Sequence, residues 1–148
     1  MPDHEGASCL LAAAERDLKA ISNMLDAEKF PDEIYGLLAQ QSVEKALKAW
    51  LTFCDREVPR THNLRLLLVL LTQAGETVAK EWRLIDLTAF AVQFRYEAYE
   101  FADARLDRQA ILEQVDELFQ RVKNILGNTA AATLCPDQNS NTAPQSTA

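Results

Sequence analysis

Residues 31–53 read PDEIYGLLAQQSVEKALKAWLTF. Tyr35, Ala39, Val43, Ala46, Trp50 and Phe53 recur at alternating steps of three and four, which places them on one face of an α-helix ending near Phe53. Pro31 suits the first helical turn, because its fixed φ is helical and its missing N–H would be unpaired there anyway. Glu44 and Lys48 stand four apart with the acid first, the favourable order on a polar helix surface. On the N-terminal side, Leu11, Ala14, Leu18, Ile21 and Leu25 repeat the same period and predict a first helix over 8–28, broken by Phe30-Pro31-Asp32.

On the C-terminal side, 54–61 has no period and contains Pro59, so it reads as a loop. Thr61 or Asn63 can cap a short third helix carrying Leu64, Leu67, Leu68 and Leu71, with Gly75 at its end. A fourth helix is expected from about Thr77. One of its stripes reads Val78, Trp82, Ile85, Ala89, Val92, Tyr96, Tyr99, and the other Leu84, Leu87, Ala91, Phe94, Ala98, Phe101. At about 100° per residue these lie on opposite sides, so this helix is wanted both by its own core and by a second surface. Asp107 caps a fifth helix with Ile111, Val115, Leu118, Val122 and Ile125 inward. The expected architecture is an all-α, up-and-down antiparallel bundle of about five helices over 8–126. A flexible start over 1–7 and a disordered, polar tail over 127–148 flank it.

A chain of 148 residues, 48% hydrophobic and 25% charged, has room for one domain with a proper core and excludes fibrous or wholly disordered classes. Its 15 Lys and Arg against 22 Asp and Glu leave a net charge of -7, which argues against non-specific binding of nucleic acid through phosphate neutralisation. The polar start Met1-Pro2-Asp3-His4-Glu5 and the lack of a long apolar run predict a cytoplasmic protein with no membrane role. Cys9, Cys54 and Cys135 are odd in number and scattered, so neither a zinc site nor a disulfide framework is expected; Cys9 and Cys54 read as small apolar fillers. No Gly-rich phosphate loop is present, and neither His4 nor His62 follows a Glu by three, so no metal and no cofactor is predicted.

Chemistry is therefore sought in isolated polar groups. Arg95 falls between the two stripes of the fourth helix, and no acid lies three or four residues away on it. Such a guanidinium needs a partner on another helix (Glu44 is one choice), on another subunit or on a bound anion. Its planar fork of donors suits phosphate. Tyr96 and Tyr99 add hydroxyls beside it, which could hold a phosphate or nucleotide or simply pack at a helix interface. His62, in Thr61-His62-Asn63-Leu64, reads either as part of a capping turn or as a base and phosphate ligand near neutral pH. Trp50 and Trp82 read as core.

Three blocks together resemble HEPN domains: Gln40-Gln41-Ser42-Val43-Glu44-Lys45-Ala46-Leu47-Lys48-Ala49-Trp50-Leu51 their second helix, Thr61-His62-Asn63-Leu64 the start of their third, and Phe94-Arg95-Tyr96-Glu97 the Arg-Tyr segment of their fourth. The resemblance spans about 8–126. It implies a dimerising helical bundle, in many members encoded beside a minimal nucleotidyltransferase and in some acting as a toxin of a toxin–antitoxin pair. Those toxins are metal-independent ribonucleases whose motif is an Arg, four to six residues, then a His. The Arg holds the phosphate, and the His assists attack by the 2′-hydroxyl. Arg95 matches the Arg, but Glu100, Phe101 and Ala102 occupy the places of the His. Glu100 is a poor substitute, since a carboxylate beside a phosphate is repelled and holds no proton to give at neutral pH unless its pKa is raised.

The reading that follows is a homodimeric HEPN subunit without intact ribonuclease activity, partnered by a small nucleotidyltransferase. Two alternatives stand beside it. One is an RNA-cleaving toxin using Arg95 with Glu100 or His62 as base; the other is a stand-alone nucleotide-binding bundle.

Overall fold

In the computed structural model, which describes residues 3–93 and 106–127, α2 (Asp32–Phe53) is the central element. It packs against α1 (His4–Ser22), α3 (Leu64–Gln73), a 3-10 helix (Glu81–Leu87), α4 (Thr88–Gln93) and α5 (Arg108–Gly127). The fold is an all-α helical bundle. The face read from the period, Tyr35 to Trp50, is buried, while Phe53 is half-buried with its ring edge against His4. Burial does not stop at that face: Gln40, Ser42, Glu44, Leu47, Ala49 and Leu51 are buried too. A helix covered on nearly every side must pair its polar groups internally. Ser42 does so by donating from its hydroxyl to the Ala14 carbonyl at 2.9 Å, tying α2 to α1.

Several boundaries differ from the expectations. The first helix begins at His4 rather than at residue 8, so 4–7 are helical instead of a flexible start. Asp3 caps it, accepting from the Gly6 amide at 2.8 Å, and Ala7 is fully buried. This helix ends at Ser22 rather than near 28, where the Ser22 hydroxyl and the Asn23 side-chain amide both bind the Lys19 carbonyl. With the helix ended, Met24 turns inward and Leu25 is left exposed. Cys9 is disulfide-bonded rather than a filler.

The third helix is as expected. Asn63 caps its first turn by accepting from the Arg65 and Leu66 amides, and all four leucines of its stripe are fully buried. It closes with Gly75 at φ +92, the Gly75 amide bound to the Thr72 carbonyl and the Glu76 amide to that of Leu71. That left-handed turn costs glycine no Cβ clash.

The expected fourth helix is not one α-helix from Thr77. Residues 81–87 form a 3-10 helix instead. Three residues per turn align Glu81, Leu84 and Leu87 in a single row, and all three are buried. Of the two stripes read from the sequence, the described part of the second (Leu84, Leu87, Ala91) is buried; Trp82, Ile85 and Ala89 of the first are half-buried, although Val78 is buried. Phe90, between them, is buried directly over Gly36, where any Cβ would collide with its ring. The expected tail, from 128 onward, lies outside the described residues, and no described helix is long and apolar enough to cross a membrane.

Asp107 caps α5, accepting from the Ala110 amide at 3.1 Å. Arg108 follows it, and its side chain is 5% exposed. Its guanidinium donates to the carbonyls of Met24 (2.5 Å) and Phe30 and to the Asp32 carboxylate (2.9 Å), while stacking 4.8 Å from the centre of the Tyr35 ring. The Tyr35 hydroxyl returns a bond to the Arg108 carbonyl at 2.9 Å. One side chain thus fastens the whole α1–α2 connection to the start of α5.

Replacing Arg108 by Ala should lower the unfolding free energy by about 3–5 kcal/mol, because the Asp32 charge and the carbonyls lose their donor. Arg108→Lys, which keeps the charge but not the fork, should cost about 2–3 kcal/mol. Urea denaturation measures both, and a loss below about 1 kcal/mol would show that the clasp carries little. Burial also pushes the Tyr35 phenol from 10.0 up to about 12, against an opposing pull from Arg108. The fold favours the neutral phenol, so its contribution is whole below pH 10.0 and is lost as pH rises towards about 12. Denaturation across that range should show stability falling more steeply for the wild type than for Tyr35→Phe.

Candidate functional site

Of the residues singled out from the sequence, His62 lies within the described structure; Arg95, Tyr96, Tyr99 and Glu100 lie outside the described residues. His62 is more than part of a capping turn. Asn63 does the capping, and Thr61 accepts from the Asn63 amide at 3.0 Å. The His62 Nδ1 instead sits 2.7 Å from an oxygen of Glu44, a carboxylate 6% exposed in the middle of α2.

That carboxylate is fully engaged. Gln40 donates to the same oxygen at 3.1 Å, and Lys48 binds the other at 3.2 Å. The Gln40 amide also reaches the His62 carbonyl at 3.3 Å, and Gln41 donates to the Gln40 side-chain oxygen at 2.7 Å. A buried charge is tolerated when it is paired and hydrogen-bonded, and Glu44 has both. Among the described residues its partners are thus Lys48 and His62, in the role that the sequence had offered to Arg95.

The His62 side chain is 48% exposed and lines a cavity of about 520 Å³ with Arg60, Arg65, Ile85, Asp86 and Thr88. Arg65 is steadied by the Trp82 ring, with its guanidinium carbon 5.6 Å from the ring centre. A second cavity, about 720 Å³, lies between the 3-10 helix and α5. Two of its three cations are consumed internally: Arg83 binds Glu117 at 2.5 Å, and Arg121 binds Glu81 at 2.6 Å while lying 4.5 Å over the Trp50 ring, which leaves Lys80. The first cavity is the better candidate for a ligand.

Two other chemistries find no support. Among the described residues, no three His, Cys, Asp or Glu side chains gather to hold a metal. Cys54 is a free thiol, but burial and the neighbouring Glu76, 3.5 Å away, push its pKa up to about 11. A thiol that stays protonated is a weak nucleophile.

Sequence reading missed Glu44 as the anchor of His62 because eighteen residues and a loop separate them, and no spacing rule spans such a gap. Arg60 and Arg65 sit in a polar stretch where nothing distinguishes them from solvated charges. Arg108 did leave a signal: a cation in the first turn of a helix opposes the helix dipole and therefore has a reason elsewhere.

The bundle with a polar cluster anchored on its second helix defines the class of protein, and a family profile described as the HEPN domain matches residues 7–125. The chain belongs to the HEPN family. No curated protein and no solved structure shows a significant match to it.

Cys54 should react slowly with iodoacetamide at neutral pH. Glu76→Gln removes the charge that holds its proton and should speed alkylation several-fold, with adduct formation followed by mass spectrometry. Equal rates would show that burial alone governs the thiol.

Proposed function

We propose that this chain is the HEPN subunit of a two-protein system, that it works as a homodimer alongside a minimal nucleotidyltransferase, and that it does not itself cleave RNA. Membership of the family supports the dimer and the pairing, since HEPN domains commonly occur in such arrangements. One observation carries the third part. The chain has two histidines, and neither follows Arg95 at the interval that a metal-independent ribonuclease requires. Glu100, Phe101 and Ala102 stand there instead.

His62 does not restore that motif, because it precedes Arg95 in the chain and lies in the turn before α3, with its Nδ1 held by Glu44 at 2.7 Å. In-line attack by a 2′-hydroxyl needs a proton acceptor within hydrogen-bond reach of it, and the arginine alone supplies charge stabilisation without proton transfer. Arg95, with Tyr96 and Tyr99, remains on this reading a phosphate-holding group whose chemistry is completed by another protein or not at all. The setting proposed for this pair is the cytoplasm, without a membrane.

Light scattering of the purified chain should give a mass twice its 16.6 kDa. A tagged chain expressed with its genomic neighbours should retain a nucleotidyltransferase-type protein. RNA incubated with the chain in the presence of a chelator should stay intact. Cleavage that disappears in Arg95→Ala would replace this reading by that of a toxin, and a persistent monomer without a partner would remove the pairing.

A further inference from the structure

We propose that the groove between the 3-10 helix and α5 docks an extended peptide segment of the nucleotidyltransferase partner, held by its main chain and by one acidic and one basic side chain. The assignment rests on the pairing proposed above and names the surface through which that partner is held. The ion pairs that withdraw Arg83 and Arg121 from a charged ligand leave a cavity of about 720 Å³ whose charges balance.

The walls are fixed before anything enters. Arg83 with Glu117 and Arg121 with Glu81 both join the 3-10 helix to α5, so the two elements are pinned beside the cavity they line. Arg121 is steadied further by donating to the Thr77 carbonyl at 2.6 Å and by the Trp50 ring beneath it. Leu84 and Leu118, buried and drawn one from each element, give the cavity an apolar base. A preformed groove with an apolar base and polar edges is the kind that takes up a peptide without rearranging.

Recognition of the main chain falls to Gln114, Gln120 and Asn124. They line the cavity from α5, and their side chains make no hydrogen bond among the described residues. A carboxamide offers both an acceptor and donors, the complement of the N–H and C=O that each residue of an extended chain presents. Ten positions of helix separate Gln114 from Asn124, about 15 Å, which four or five residues of extended chain would span. Glu81 lines the same cavity with a side chain 7% exposed, and its Oε2 has no donor among the described residues. A peptide N–H is a donor of the right kind.

Charge defines the side chains of the segment. Lys80, at the start of the 3-10 helix, and Asp116, on α5, line the cavity from its two walls, and neither is ion-paired among the described residues. Successive side chains of an extended chain point to opposite sides. An acidic and a basic residue an odd number of positions apart therefore reach Lys80 and Asp116 together. A nucleic-acid strand does not fit this pattern, since it would bring uniform negative charge to walls that carry Glu81, Asp116 and Glu117.

The complex of the full chain with its nucleotidyltransferase tests the proposal. A photo-crosslinking benzoylphenylalanine at Gln120 should label the partner, and mass spectrometry should place the adduct in a segment with an acid and a base at odd separation. The double substitution Gln120→Ala/Asn124→Ala alters exposed residues and should leave the circular dichroism and the homodimer mass unchanged. It should weaken the partner at least about tenfold in surface plasmon resonance. Lys80→Glu should weaken it as much, and reversing the charge of the segment's acidic residue should restore affinity to Lys80→Glu. A partner bound equally by the double variant, an unrescued Lys80→Glu, or adducts on a second copy of this chain or on RNA would each overturn the proposal while leaving the pairing intact. A chain that retains no nucleotidyltransferase at all would overturn both.

Discussion

The guanidinium of Arg108 is the contact on which the arrangement of the bundle turns. It is buried, and four groups from one short stretch of chain converge on it: the carbonyls of Met24 and Phe30, the Asp32 carboxylate and the face of Tyr35. Within the α1–α2 connection a turn pairs the Asp26 carbonyl with the Lys29 and Phe30 amides, but the carbonyls of Met24 and Phe30 take their donors from Arg108, and buried carbonyls without donors are costly. Arg108 provides those donors from α5, so the connection and the last helix are fixed in one act. Beyond that clasp, Val115, Leu118, Phe119 and Val122 of α5 pack into the core.

In the middle of α2, Glu44 plays the complementary part. Arg108 is a buried cation surrounded by oxygens; Glu44 is a buried anion surrounded by nitrogens. The two follow the same logic, since pairing makes each charged group tolerable inside a bundle, although the buried Nε of Arg108 is left without a partner. Their consequences differ. Arg108 spends its donors on the fold, whereas Glu44 spends an acceptor on holding His62 and leaves the far side of that ring open to a cavity. A polar network that is satisfied internally yet ends on a half-exposed imidazole positions a group for something outside the protein.

How much of this was legible in the sequence follows from the range of the interactions concerned. The leucines of α3, its Asn63 cap and its Gly75 stop, the Asp107 cap of α5 and the inward face of α2 were all readable, because each depends on neighbours within about four residues. The three blocks around Glu44, His62 and Arg95 carried the family. The continuous fourth helix was misread for an instructive reason. Its apolar residues satisfy a period of 3.6 and one of 3.0 about equally well over one or two turns. Burial of Glu81, Leu84 and Leu87 in one row, against α2 and α3, selected the tighter helix. Likewise Leu25 continues the period of the first helix, although Ser22 and Asn23 close that helix by binding the Lys19 carbonyl.

Taken by itself, the sequence determined that this is a helical bundle, where most of its elements lie, and that the expected histidine after Arg95 is absent. Those are properties of composition, local period and single positions. The tertiary structure alone decided that α2 is enclosed on nearly every side and that Glu44 is inside rather than on a solvated face. It also decided that His62 is anchored to that carboxylate and that the stretch carrying it faces Ile85, Asp86 and Thr88 across one cavity. The physical reason is that burial and pairing join residues eighteen to eighty-four positions apart, and no periodicity along a chain encodes which distant groups will meet once the helices have packed.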